Sequence, residues 1–151
     1  MIVAENVMKF LEGKMTWAQV EGLTEEQATR FMQLGAYKMS ARQFDEARRI
    51  FECLASVNPN DADAHALVGT AFQAEEKFDE AIAAFTEALK RNPKHVVALS
   101  HRGELRRKQG DADGFADLKR AAEIDPMGKS EAGRRAGQLV RALTFKPSKS
   151  R

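Results

Sequence analysis

The chain has 151 residues, 43% hydrophobic and 30% charged, the balance of a soluble globular domain long enough to bury its own core. Its one cysteine, Cys53, excludes an internal disulfide and any zinc site built on paired thiolates, and its apolar runs are too short to span a membrane. The net charge of +2 hides an asymmetry: residues 1–93 hold 10 basic and 15 acidic side chains, whereas residues 94–151 hold 14 and 7.

The opening stretch MIVAENVMKFL carries Glu5 and Asn6 among its apolar residues and has no basic leader, so no secretory signal is expected. Val3, Val7, Phe10 and Leu11 recur at helical spacing and predict a short amphipathic helix, behind which Trp17 and Val20 add apolar bulk. This segment, 1–22, either dimerises through Val7, Phe10, Leu11 and Trp17, making a homo-oligomer, or packs inward and covers Met32 and Met39 of the first repeat. LTEEQ at 23–27 has the Thr-x-x-Gln form of a capping box and opens a helix at Thr24.

From there a period appears. Gly35, Gly69 and Gly103 are spaced by 34 residues, and Ala47, Phe51 and Pro59 precede Ala81, Phe85 and Pro93 by the same interval. A third copy, with Gly114, Leu118, Ala121 and Pro126, is one residue short, and the deletion falls in the turn after Gly110. In the middle copy, helices are predicted over about 62–75 and 79–91, capped by Asp61 and Asp79, with Phe72, Phe78 and Phe85 filling the wedge between them. Ala132, Ala136, Leu139, Val140 and Leu143 then mark a final helix, 128–143, that would cover the open end; the basic tail 144–151 is expected to be disordered.

Gly and Ala at close-packing positions, with Pro after the second helix, resemble the tetratricopeptide repeat. The fold expected is therefore all-α: a tetratricopeptide-repeat solenoid of three helix-turn-helix units over 23–127, with N-terminal helices and a C-terminal capping helix.

Chemistry is not expected. His65, His95 and His101 form no metal-ligand spacing with Cys53, and no phosphate loop, nucleophile elbow or HExxH pattern occurs. Cys53 beside Phe51 and Leu54 reads as a small buried hydrophobe. No catalytic residue, metal or cofactor is assigned.

What remains is a groove. The first helix of each hairpin lines the concave side in stacked hairpins of this type. Its expected exposed positions are Met32, Ala36, Met39 and Ser40 in the first unit, and Ala66, Thr70, Gln73 and Ala74 in the second. In the third they are Val97, Ser100, Glu104, Arg107 and Lys108. Such a floor suits a peptide client. Some repeat proteins of this class clamp a carboxylate-ended peptide with Lys and Asn at fixed positions. The corresponding places carry Met32, Ala36, Leu67, Val97 and His101, so a heat-shock-protein tail is a poor candidate ligand.

Residues 10–73, FLEGKMTWAQVEGLTEEQATRFMQLGAYKMSARQFDEARRIFECLASVNPNDADAHALVGTAFQ, are similar to the class II translocator chaperones of type III secretion. The resemblance rests on order: a short helix, a GLT-E start, F-D-E-A, I-F-E-x-L and a following G-x-A-x-Q at Gly69, Ala71 and Gln73. It implies a cytoplasmic bacterial protein that holds secreted, pore-forming translocator subunits before export, with a client segment in the concave groove and dimerisation through the N-terminal helices. Ala36 and Met39 fall where that family often has aromatic pocket residues; Ala66, Thr70 and Gln73 fall on the matching floor of the second unit. The missing aromatics, together with Arg106, Arg107, Lys108 and the basic tail, depart from the pattern and leave room for an acidic partner. Two other readings stay open. One is a scaffold or adaptor for assembly of another complex. The other, weaker, is a nucleic-acid accessory role through Arg134, Arg135, Arg141, Lys146, Lys149 and Arg151; lacking interleaved aromatics, nucleic acid is not the expected partner.

Overall fold

The computed structural model describes Lys9, Glu12 and residues 23–145. The predicted N-terminal interface (Val7, Phe10, Leu11, Trp17) and the tail residues Lys146, Lys149 and Arg151 lie outside the described residues. From residue 23 onward the described chain forms helices alone: α1 Glu25–Ser40, α2 Phe44–Val57, α3 Ala62–Ala74, α4 Phe78–Arg91, α5 Val96–Lys108, α6 Asp113–Ile124 and α7 Glu131–Thr144. They pair as hairpins α1/α2, α3/α4 and α5/α6, with α7 laid over the last. This is the all-α repeat solenoid that the 34-residue period predicts.

Local chemistry starts and stops each element. Thr24 caps α1 through a reciprocal box: its Oγ1 accepts from Gln27 N at 3.2 Å, and Gln27 Oε1 accepts from Thr24 N at 2.8 Å. Asp61 caps α3 by accepting from the N–H groups of Asp63 and Ala64, and Ser130 caps α7 by accepting from Gly133 N. At α5 the cap is His95, whose Nδ1 accepts from Ala98 N while its Nε2–H donates to Asp63 Oδ1 at 2.7 Å, tying this hairpin to the one before. Helices α2, α4 and α6 have no side-chain cap. Asp79, expected to cap α4, instead lies inside its first turn and accepts from Gln109 Nε2 at 2.9 Å.

The turn geometry explains that shift. Each hairpin turn carries one left-handed residue, Arg42, Glu76 or Gly110, again 34 residues apart. The following N–H reaches back to the last helical turn in the same way each time: Gln43 N to Lys38 O, Lys77 N to Phe72 O and Asp111 N to Arg106 O, all at 2.9 Å. These six-to-one bonds close the first helix and launch the second without a cap. Past Asp111 the third copy loses its residue, and α6 begins one position before Gly114, whereas α4 begins three before Ala81.

The core is two clusters. One gathers Phe31, Ile50, Phe51, Cys53, Leu54 and Val68; the other gathers Phe85, Leu89, Leu99, Leu105, Leu118 and Ala136; Phe72 packs on both. Ala47 and Ala81 are fully buried where helices cross, and a Cβ at Gly69 would stand 2.8 Å from the Phe85 ring. The Phe85 ring thus occupies the space an ordinary side chain would need. Phe78, predicted to share this wedge, opens α4 and stays 41% exposed. Cys53 is buried as expected, and its apolar surroundings push the thiol up to about 12. No helix among the described residues is long and apolar enough to cross a membrane.

Candidate functional site

Helix α3 touches α5 and α5 touches α7, besides the contacts of α3 with α4 and of α5 and α7 with α6, so the three form the inner wall of the solenoid. Between them lies a cleft of about 370 Å³, lined by Gln73 of α3, Val97, His101 and Glu104 of α5, Ser130 at the cap of α7, and Glu131, Ala132 and Arg135 of α7. Val97, His101 and Glu104 share a face because they are spaced by four and three residues on one helix.

His101 is the centre of the wall. Its ring stacks on Phe85 at 5.5 Å and 26°, and its Nδ1–H donates to Gln73 Oε1 at 2.8 Å. Burial is the chief reason that its pKa lies below the ordinary histidine value; the Glu104 carboxylate pulls the other way. The imidazole is therefore neutral at neutral pH. Beside it, Arg135 Nη2 donates to Glu104 Oε2 at 2.8 Å, and Arg135 Nε bonds the other oxygen, a two-point pair between α7 and α5. The pair holds Arg135 across the cleft mouth. A neutral ring, a side-chain amide, the Glu104–Arg135 pair and the Glu131 carboxylate around one valine can hold an extended peptide through hydrogen bonds and a single apolar contact. Among the described residues, no cluster of three or more His, Cys, Asp or Glu side chains is placed to hold a metal ion.

The structure redistributes the expected floor. Met32, at 42% exposure, Ala36 and Ser40 are open to solvent on α1, with Ser40 Oγ donating to Ala36 O at 3.2 Å. Gln73 and Glu104 enter the cleft, and Thr70 is half-buried with its hydroxyl donating to Ala66 O at 3.0 Å. Four positions differ from expectation. Met39 is half-buried against the first core cluster. Ala66, 4% exposed, packs into the second cluster. Ser100, 1% exposed, lies under α7 and donates to Ala132 O at 3.1 Å. Arg107 is exposed but runs beside α6, where a Cβ on Gly114 would sit 2.8 Å from its Cγ, and it does not line the cleft.

The burial of Ala66 on α3 and Ser100 on α5 has one cause. A first helix in the middle of the stack packs on its own partner, on the preceding hairpin and on the next first helix, leaving only a narrow free strip. Reading two adjacent stripes as exposed took in the one that packs. Sequence reasoning left His101 out of the groove and missed Ala132 and Arg135. The amphipathic stripe of α7 was the only available signal, and it does not tell which residues turn inward.

A family model described as tetratricopeptide repeat matches residues 67–129. Among curated proteins, Hsp70-Hsp90 organizing protein 2 of Arabidopsis thaliana is 34% identical over 83 residues, 54% of this chain but 14% of that protein. The chain thus spans about one seventh of the length of that relative. Among solved structures, PcrH from Pseudomonas aeruginosa superposes with a TM-score of 0.77 at 22% identity, covering 85% of this chain and 99% of that one. The Yersinia enterocolitica type III secretion chaperone SycD, in complex with a peptide of the translocator YopD, gives 0.70 at 19% identity, covering 80% and 94%. At these identities the likeness is one of fold. Residues 67–129 thus match the tetratricopeptide repeat, and the described chain is an all-α solenoid of helical hairpins that in architecture resembles the type III secretion translocator chaperones.

Proposed function

We propose that this protein is a non-catalytic chaperone whose inner wall holds an extended segment of a client protein. The observation that carries the reading is the cleft between α3, α5 and α7, with Val97 as its apolar seat and Gln73, His101 and the Glu104–Arg135 pair as its polar edge. The likeness to SycD, described with a translocator peptide, supports a secreted translocator subunit as client in a bacterial cytoplasm. Ala36 and Ser40, small and open on α1, would lengthen the binding wall for a longer segment. In this reading residues 1–22 dimerise, residues 23–127 bind and α7 closes the far end.

An adaptor role in assembling another complex is the second reading, favoured by the relatedness to a heat-shock-protein organizing protein. Against a carboxylate clamp stand Leu67, Val97 and His101 at the positions that would need cationic or amide side chains.

Co-expression with a translocator subunit, followed by size-exclusion chromatography and calorimetry on the excised client segment, tests the proposal. Losing one apolar anchor is worth about 1.5–3 kcal/mol, so Val97→Glu should weaken the complex by about tenfold or more. The variant's far-ultraviolet circular dichroism should be unchanged, because Val97 is partly exposed. Equal affinity of wild type and variant would remove the cleft from the account; binding only to carboxylate-ended peptides would favour the adaptor.

A further inference from the structure

On the opposite side of α7 lies a second groove of about 270 Å³, between the end of α6 and the outer flank of α7. Its floor is apolar and low: Ala122, Gly137 and Val140, with Met127 beside them at 80% exposure. A Cβ built on Gly137 would meet nothing within 4 Å except the tip of Arg141, at 3.4 Å, so another backbone can come close there. The rim is cationic. Arg134 and Arg141 are both exposed and line the groove, and neither has an ion-pair partner among the described residues.

The carboxylate at hand is already taken. Asp125 accepts from Ser130 N at 2.8 Å, from Ser130 Oγ at 2.7 Å and from Lys129 N at 2.9 Å. These bonds, the Ser130 N–H first, hold its pKa below the ordinary value, so it remains an acceptor bound to its own loop. Asp125 thus stays ionised but bound to its own loop, so the groove sets two arginines against one carboxylate, a net positive charge beside exposed apolar surface. Arg134 and Arg141 are seven residues apart on one helix, which puts them on the same face about 10.5 Å apart along the axis.

We propose that this groove docks an acidic amphipathic helix of a partner protein, with carboxylates two turns apart on Arg134 and Arg141 and apolar side chains on Met127 and Val140. A helix running along α7 repeats the two-turn spacing of the arginines with its own residues, and the open flank at Gly137 admits it to packing distance. Nucleic acid fits less well. The floor offers no aromatic ring for a base to stack on, and an apolar bed contributes nothing to a phosphate backbone. This surface is separate from the inner cleft and does not depend on the client reading.

The test uses the full chain and a fluorescein-labelled helical peptide of about 18 residues, long enough to hold helix, with two glutamates seven residues apart beside a leucine stripe. Three companions complete it: the same peptide with glutamine for glutamate, the same with lysine, and a short DNA duplex. Anisotropy at low salt should show the glutamate peptide binding about tenfold more tightly than the glutamine one, as expected for two charge pairs on a partly apolar surface. The Arg134→Glu/Arg141→Glu variant should lose that preference and instead take the lysine peptide. In amide spectra, Gly128, Gly133 and Gly137 should shift on titration, while Val97→Glu should leave this binding unchanged. Equal binding of the glutamate and glutamine peptides, no effect of the double variant, or shifts at His101 instead of the glycines would overturn the proposal. So would a duplex that binds through these arginines when the glutamate peptide does not.

Discussion

Hairpins α3/α4 and α5/α6 solve the same problem with different materials. In the first, Gly69 of α3 faces the Phe85 ring of α4, and Ala81, Ala84 and Ala88 let the helices close around it. In the second, glycine faces glycine: a Cβ on Gly103 would stand 2.8 Å from Gly114 O, and one on Gly114 would stand 2.7 Å from Arg107 N. Here backbone meets backbone, and Leu118 takes the place of the ring. Much of the remaining contact is ionic. Asp117, 7% exposed, accepts from Arg102 Nε and Nη2 at 2.8 and 2.7 Å and from Arg106 Nη1 at 3.2 Å. Arg102 also reaches back to Thr86 Oγ1 at 3.1 Å, so this network joins α5 and α6 to α4. What recurs is a glycine on the first helix where its partner comes close; the groups that meet it there are free to change.

Mutations can break that comparison in graded steps. Phe85→Ala, which empties a fully buried ring site, should cost about 3–5 kcal/mol in urea unfolding. Asp117→Ala should cost about 2–3 kcal/mol by leaving two arginines against α6 without their acceptor. If packing alone held the third hairpin, the second figure would fall near zero. The glycines come next. A methyl on Gly69 presses a ring that can shift, and overpacking of this kind costs about 1–3 kcal/mol, offset by up to about 1 kcal/mol of helix propensity. A methyl on Gly114 meets the backbone of Arg107, which cannot yield. Gly114→Ala should therefore lower the melting midpoint clearly more than Gly69→Ala, and the reverse order would contradict the backbone contact.

The smallest effect is proton-linked. His101 has its pKa lowered in the fold, chiefly by burial, while in the unfolded chain it titrates near pH 6.5. As the pH falls through about 6.5 the unfolded state binds the proton first, so stability declines with acidity, and above that pH the histidine imposes no proton-linked loss. Between about pH 7.5 and 5.5, wild type should lose up to about 1 kcal/mol more than His101→Gln. Parallel denaturation curves for the two proteins over that range would place the ring in solvent.

The fold was largely legible because its determinants are local and periodic. Gly35, Gly69 and Gly103 mark close approaches, Pro59, Pro93 and Pro126 mark stops, and Thr24 announces its helix through a capping box that forms as written. The site was less legible. Its strip on each first helix is narrow, and Ala66 and Ser100 are small residues that serve a packed interface as well as an open one. Ser100 donates to Ala132 O of α7, and Arg135 meets Glu104 at the same helix contact, neither of which is written in the local pattern. His95 illustrates a further gap: its sequence context excludes a metal-ligand spacing but assigns it no role, and it serves as a cap that also grips Asp63 of the preceding hairpin.

The most direct measurement of the central claim is photocrosslinking from single benzoylphenylalanine substitutions in the co-expressed client complex. One is placed at Val97 on the inner wall and one at Ala116, exposed on α6. Client attached from position 97 and absent from 116 is the predicted result; client attached from 116 with none from 97 would contradict binding in the cleft.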